Sequence, residues 1–290
     1  MNEIVEFATA LGYDVKISPF HQYRNLRVTQ NSVGWEWIHA TKFMVALFLL
    51  VFVYVTIQVS GRPNFQWYTL LCRHSSKMFA WTSVYGFAFS LFPGTMIRLI
   101  HLFRDSAPSP ILIWGCNIRK HIGVISLYFL FLHLCMMVLI FGGEYYGHFL
   151  REGHMEWNDE ASMLTAVLST SLFIITGIAS LPSVGHAMNK AQFMLVFGPV
   201  VWLALALGLM HIMFLGVPSW TETPRSPYSW ARGMPPSTLM ASVFPLLVLF
   251  IKVSQVGLTK VLTIKKVIIA HQHTSVHSSG DVVLSNEEKV

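Results

Sequence analysis

Six stretches of the chain carry no Asp, Glu, Lys or Arg and are long enough to cross a bilayer: 43–61, 78–97, 122–143, 161–189, 191–221 and 233–251. A helix needs about 20 apolar residues to span the hydrocarbon. In lipid only helices or closed barrels satisfy every backbone N–H and C=O, and runs this continuous point to helices. The pattern therefore predicts an all-α membrane protein, a six-helix transmembrane bundle over residues 38–259. It is flanked by an N-terminal segment, 1–37, and a C-terminal tail, 260–290, with no apolar period and an expectation of disorder.

Breakers punctuate the runs. Gly61-Arg62-Pro63 ends the first, and Met234-Pro235-Pro236 starts the sixth with proline in its first turn. Phe92-Pro93-Gly94 predicts a kink in the second, because proline removes a backbone donor. Residues 1–37 are too few for a nucleotide-binding domain and hold no G-x-G-x-x-G. Their Phe20, Tyr23, Trp35 and Trp37 suggest a segment lying on the inner membrane surface before the first span. No cleavable signal is expected there.

Charge sets the orientation. Charged residues make up only 12% of the chain, against about 25% in soluble domains. With the N-terminus in the cytoplasm, the inner side receives Arg98, Arg104, Arg119, Lys120, Lys190, Lys252 and most other basic residues. The outer side receives only Arg62, Arg73, Lys77, Arg151, Arg225 and Arg232. This is the positive-inside pattern, and six spans return the C-terminus to the cytoplasm. The formal charge of +6 is thus topology, and no basic stripe on a soluble face suggests nucleic acid. Cys72, Cys116 and Cys135 show neither metal-site spacing nor a disulfide partner. His271, His273 and His277 read as part of a solvated tail.

Two histidines, His133 and His211, lie deep within apolar runs, away from the run ends. An ionisable group at that depth is costly and marks function more often than not, although a lone histidine can simply bond a neighbouring helix. His133, in the third run, precedes Glu144 by 11 positions, and His211, in the fifth, precedes Glu222 by 11. Both runs lead outward, so both imidazoles sit ~16 Å below the outer boundary. Two histidines at one depth on two helices suit axial ligation of one haem iron from opposite faces. Tyr128, Phe129, Phe131 and Phe214 are candidates to pack the porphyrin, or are ordinary lipid and core contacts. A second haem would need a second pair about four turns inward. His121 is available there, but its counterpart on the fifth run is Phe197, so one haem is expected.

A hydride donor yields two electrons and haem accepts one, so a flavin is expected between them at the inner end. Arg119 and Lys120 for the pyrophosphate, and Ser180, Asn189 and His101 for polar contacts, are available there. At the outer end the third loop is acidic, with Glu144, Glu152, Glu156, Asp159 and Glu160. An anionic electron acceptor on that side would have to be drawn in by Arg232 and Arg225, unless these pair with Glu222 or lipid phosphate.

Taken together these features resemble the STEAP family of six-transmembrane metalloreductases. The resemblance rests on Arg119-Lys120-x-x-Gly123 followed by His133, and on Ser180-Leu-Pro-Ser-Val followed by Asn189. It rests also on His211, on Phe92-Pro93-Gly94 followed by His101-Leu-Phe-Arg104, and on Pro235-Pro236 with Pro245 and Lys252. It covers residues 38–255. It implies a ferric-reductase-like bundle, homotrimeric or heterotrimeric with paralogues, in the endosomal or plasma membrane. It implies haem b and FAD as cofactors and Fe(III) or Cu(II) chelates as extracytoplasmic substrates. Arg119 and Ser180 would be flavin contacts, and Phe173, two turns outward of Ser180, an aromatic between flavin and haem. The chain departs from the family at His101 and Phe197, where glutamines are usual, and at Lys190, where tryptophan is usual. Most members carry an N-terminal NADPH-oxidoreductase domain that residues 1–37 do not provide. The resemblance therefore implies either a metalloreductase served by a separate NADPH-dependent reductase, or a non-autonomous haem-binding or scaffold subunit.

Overall fold

The computed structural model describes residues 32–60, 67, 74–104, 108–141, 157–221 and 234–287. Among these there is no strand. The helices are α1 (Ser32–Ser60), α2 (Ser75–Phe103), α3 (Pro110–Phe141), α4 (Trp157–Ala179), α5 (Pro182–Ala187), α6 (Lys190–Leu195), α7 (Val201–Thr221) and α8 (Ser237–Glu287). A single π turn, Val196–Val200, joins α6 to α7. Six segments are long and apolar enough to cross a membrane: Gly34–Ser60, Ser75–Phe103, Pro110–Leu139, Trp157–Ala179, Lys190–Pro218 and Ser237–Lys265. The chain is a multi-pass membrane protein. Its surface carries Leu50, Val138, Leu139, Leu164 and Phe250, each more than half exposed, as lipid contact requires.

The charge-free runs understate several helices. α1 begins at Ser32 and takes Trp35 and Trp37 into its first turns, rather than leaving them in a surface segment. α2 and α3 extend past Arg98, Arg119 and Lys120. Long basic side chains keep their heads at the interface while their stems lie along the bundle, so a charge does not end a helix. The fourth run overstates its helix. α4 stops at Ala179, Leu181 and Pro182 start α5, and Asn189 starts α6. The last helix continues through Glu287, beyond Lys260, where disorder was expected. Extending a nucleated helix adds one hydrogen bond per residue fixed.

α2 is the hub, packing against α1, α3, α7 and α8, and most closely against α3. Small residues allow this approach. A Cβ on Gly115 of α3 would sit 2.8 Å from Pro93 Cγ, so the proline ring lies over a glycine. Farther along, Ser83 Oγ donates to the Ser126 carbonyl at 2.8 Å. A Cβ on Gly86 would fall 2.0 Å from Ser126 Oγ and 2.7 Å from Met44 Cε. Ser126 and Met44 are themselves fully buried and have no space to retreat into. Gly86→Leu is therefore expected to overpack the α1–α2–α3 junction and to cost at least the ~1–3 kcal/mol typical of such changes. A lower thermal unfolding midpoint in detergent, with a smaller drop for Gly86→Ala, checks this.

α4 pairs with α7 as α2 pairs with α3. Ser169 Oγ donates to the Ala204 carbonyl at 2.8 Å across that seam. α8 closes the bundle. Tyr54 Oη and Gln58 Nε2 both donate to the Pro235 carbonyl, each at 2.8 Å, and Trp220 Nε1 donates to Thr238 Oγ1 at 2.9 Å.

Candidate functional site

His133 on α3 and His211 on α7 belong to the two different helix pairs. Each is held in the same way. His133 Nδ1 lies 2.9 Å from the Ser76 carbonyl oxygen and 2.9 Å from Ser76 Oγ, on α2. His211 Nδ1 lies 2.9 Å from the Ser162 carbonyl oxygen and 2.8 Å from Ser162 Oγ, on α4. Among the described residues, neither Nε2 makes a hydrogen bond. Helices α3 and α7 share no extended packing interface, yet the two imidazoles are within electrostatic reach of one another.

Two imidazoles anchored through Nδ1 could each offer Nε2 to a metal macrocycle. A ligating histidine normally donates its other ring N–H to a carbonyl or similar acceptor, which fixes its tautomer and orientation. Both rings are also only half-buried, although mid-helix in apolar spans, so neither Nε2 is sealed by protein packing. Of the aromatic residues expected from sequence, Phe214 is half-buried on α7. Tyr128 and Phe131 are each 60% exposed, and Phe129 stacks on Phe48 at 5.6 Å between ring centroids, toward α1.

His121 faces α1, and its buried Nδ1 makes no hydrogen bond among the described residues. Its Nδ1 is 3.8 Å from Glu36 Oε2, and its ring meets Trp37 edge-on at 4.6 Å. It lies far down α3 from His133, in the half of the bundle that carries the basic residues.

That basic half contains a cavity of about 640 Å³. Arg98 of α2, Arg119 of α3 and Lys252 of α8 line it, with Gly94, Trp202 and the Phe197-Gly198-Pro199 break before α7. Gly94 leaves room beside Arg119: a Cβ there would be 3.3 Å from Nη1. Lys252 Nζ sits 5.4 Å from the Trp202 ring centroid and donates to Gln255 Oε1 at 3.0 Å. Three cations, an indole and aliphatic walls suit a ligand that combines phosphate with a planar ring.

The remaining polar candidates stand outside this lining. His101 is in the last turn of α2. Ser180 follows α4 and donates Oγ to the Gly177 carbonyl at 2.6 Å. Asn189 caps α6 in a reciprocal pair with Gln192. Arg225 and Arg232 lie outside the described residues, as do Glu144 and Glu222.

Phe173 connects the two regions. It is buried and stacks face to face on Phe87 of α2, with centroids 3.9 Å apart and planes 13° from parallel. Ala204, Leu205 and Val248 complete the cluster, and Leu91 and Trp202, which line the cavity, pack against it. On the other side, the Phe173 edge is 3.8 Å from where a Cβ on Gly208 would lie, one turn from His211.

Sequence reasoning missed Ser76, Ser162 and Phe87. The serines were findable in principle, as polar residues in the first turns of the two helices antiparallel to the histidine helices. Their use of a backbone carbonyl has no sequence signature. Among the described residues, no group of three His, Cys, Asp or Glu is placed to hold a bare metal ion. The chain matches no protein-family model.

Proposed function

We infer that this protein is a transmembrane electron-transfer subunit that holds one haem b between His133 and His211. It would take electrons from FAD at the basic cavity and pass them to an Fe(III) or Cu(II) chelate on the opposite side. The observation that carries the reading is the matched pair of mid-span imidazoles, each anchored through Nδ1 and each with Nε2 uncommitted. When bound, the haem would supply a one-electron couple closed to oxygen by bis-imidazole ligation, and the flavin would divide a two-electron donor into single steps.

The chain's own residues divide the remaining tasks. Arg98, Arg119 and Lys252 would neutralise the flavin pyrophosphate. Trp202 would offer a flat apolar wall beside it. Phe87 and Phe173 would hold the path between the two regions dry and closely packed. The positive-inside reading assigns the basic cavity to the cytosol, and the STEAP resemblance favours a trimer with a separate NADPH-dependent reductase as donor. Arg232 is proposed to steer anionic chelates on the far side.

A reduced-minus-oxidised spectrum of the purified protein tests the proposal, with and without FAD and a reductase. A low-spin haem b that is reduced only when both are present is the expected result. A haem that stays oxidised under all these conditions would favour a scaffold role, and absence of haem would end the electron-transfer reading.

A further inference from the structure

We propose that Ser76 and Ser162 are positioning residues that set the tautomer and donor strength of the two histidines, and so the reduction potential of the haem they ligate. This rests on the haem reading above. Its first element, the tautomer, stands independently of any bound group.

The serine carbonyls decide the tautomer. A carbonyl oxygen only accepts, so Nδ1 must carry the proton where it meets Ser76 O and Ser162 O, each at 2.9 Å. The lone pair is then on Nε2 in both rings. The hydroxyls at 2.9 Å and 2.8 Å act on that same Nδ1–H as second acceptors. Ser76 and Ser162 are 2% and 1% exposed, so bulk water does not compete for the proton. Two acceptors drawing on one N–H make the opposite nitrogen a stronger donor to a metal. A stronger donor favours the ferric ion and lowers the potential.

The two anchors are not equivalent. Thr165 Oγ1 divides its one O–H between the Ala161 carbonyl at 2.8 Å and the Ser162 carbonyl at 3.0 Å, so the Ser162 carbonyl has a weak second side-chain donor. The Ser162 hydroxyl therefore carries more of the interaction with His211 than the Ser76 hydroxyl carries with His133. A serine that merely satisfied a buried ring would move neither tautomer nor potential when its hydroxyl was removed.

Two measurements on the full chain test this. In haem-free protein, nitrogen NMR of labelled histidine should show the His133 and His211 rings protonated at Nδ1. A proton on Nε2, or a mixture of tautomers, overturns the proposal whether or not haem binds. In haem-loaded protein, Ser76→Ala and Ser162→Ala should each ease reduction, with the larger effect at Ser162. There we expect at least a threefold rise in the reduction equilibrium constant, or about 28 mV at 59 mV per decade. Ser→Thr at either site should restore the wild-type value. Unchanged potentials with haem retained overturn the tuning role. If an alanine variant loses haem, retention in the matching threonine variant supports the hydroxyl's role, and loss in both overturns it. Absence of haem from the unaltered chain would instead refute the function proposed above.

Discussion

Replacing either His133 or His211 with alanine is expected to abolish the haem absorption band. On the haem reading proposed above, each imidazole would supply one of the two protein ligands to the iron, and the two helices that carry them share no extended interface. Loss of one ligand also opens the iron to water and oxygen, so residual pigment should be high-spin and unstable. His121→Ala is the internal control. His121 lies beside Glu36 and Trp37, far down α3 from His133, so its loss should leave the spectrum and a one-to-one haem stoichiometry intact. Two haems per chain, or full haem retention in either His133→Ala or His211→Ala, would refute the assignment.

The second large effect belongs to the basic cavity. Arg119→Glu removes a guanidinium and places a carboxylate among Arg98, Lys252 and the proposed phosphate site. The change reverses a favourable charge contact in a partly enclosed, low-dielectric space. A loss of at least tenfold in FAD affinity is expected, about 1.4 kcal/mol, read by quenching of flavin fluorescence on titration. Gly94→Val should act in the same direction without altering charge, because it pushes into the space that Arg119 Nη1 occupies. Neither change should alter the haem spectrum. Unaltered flavin affinity in both variants would move the flavin site elsewhere.

The helical class and the six spans were legible because hydrocarbon leaves little choice: length, apolarity and missing charge determine them together. His133 and His211 were legible for the same reason, since a titratable ring in such a run stands out. The helix ends were less so. Arg119 and Lys120 read as a boundary but lie within α3, and Asn189 reads as a site residue but serves α6 as a cap. The cavity was half legible. Arg119 was expected there, whereas Lys252 and Trp202 come from helices whose meeting with α2 and α3 depends on packing. Phe87 was invisible among 21 phenylalanines, because its importance comes from one partner on another helix.

The Phe87–Phe173 stack has an electrical consequence. With Ala204, Leu205 and Val248 around it, the stack is part of a buried apolar cluster on the way from the basic cavity to the helix of His211. Under the proposed electron-transfer reading, such a cluster would exclude water and ions while electrons tunnelled through it. An electron crossing there would travel as uncompensated charge. Turnover would then be electrogenic, and the membrane voltage would act on it directly, with up to ~2.3 kcal/mol per electron for each 100 mV if the whole field were traversed.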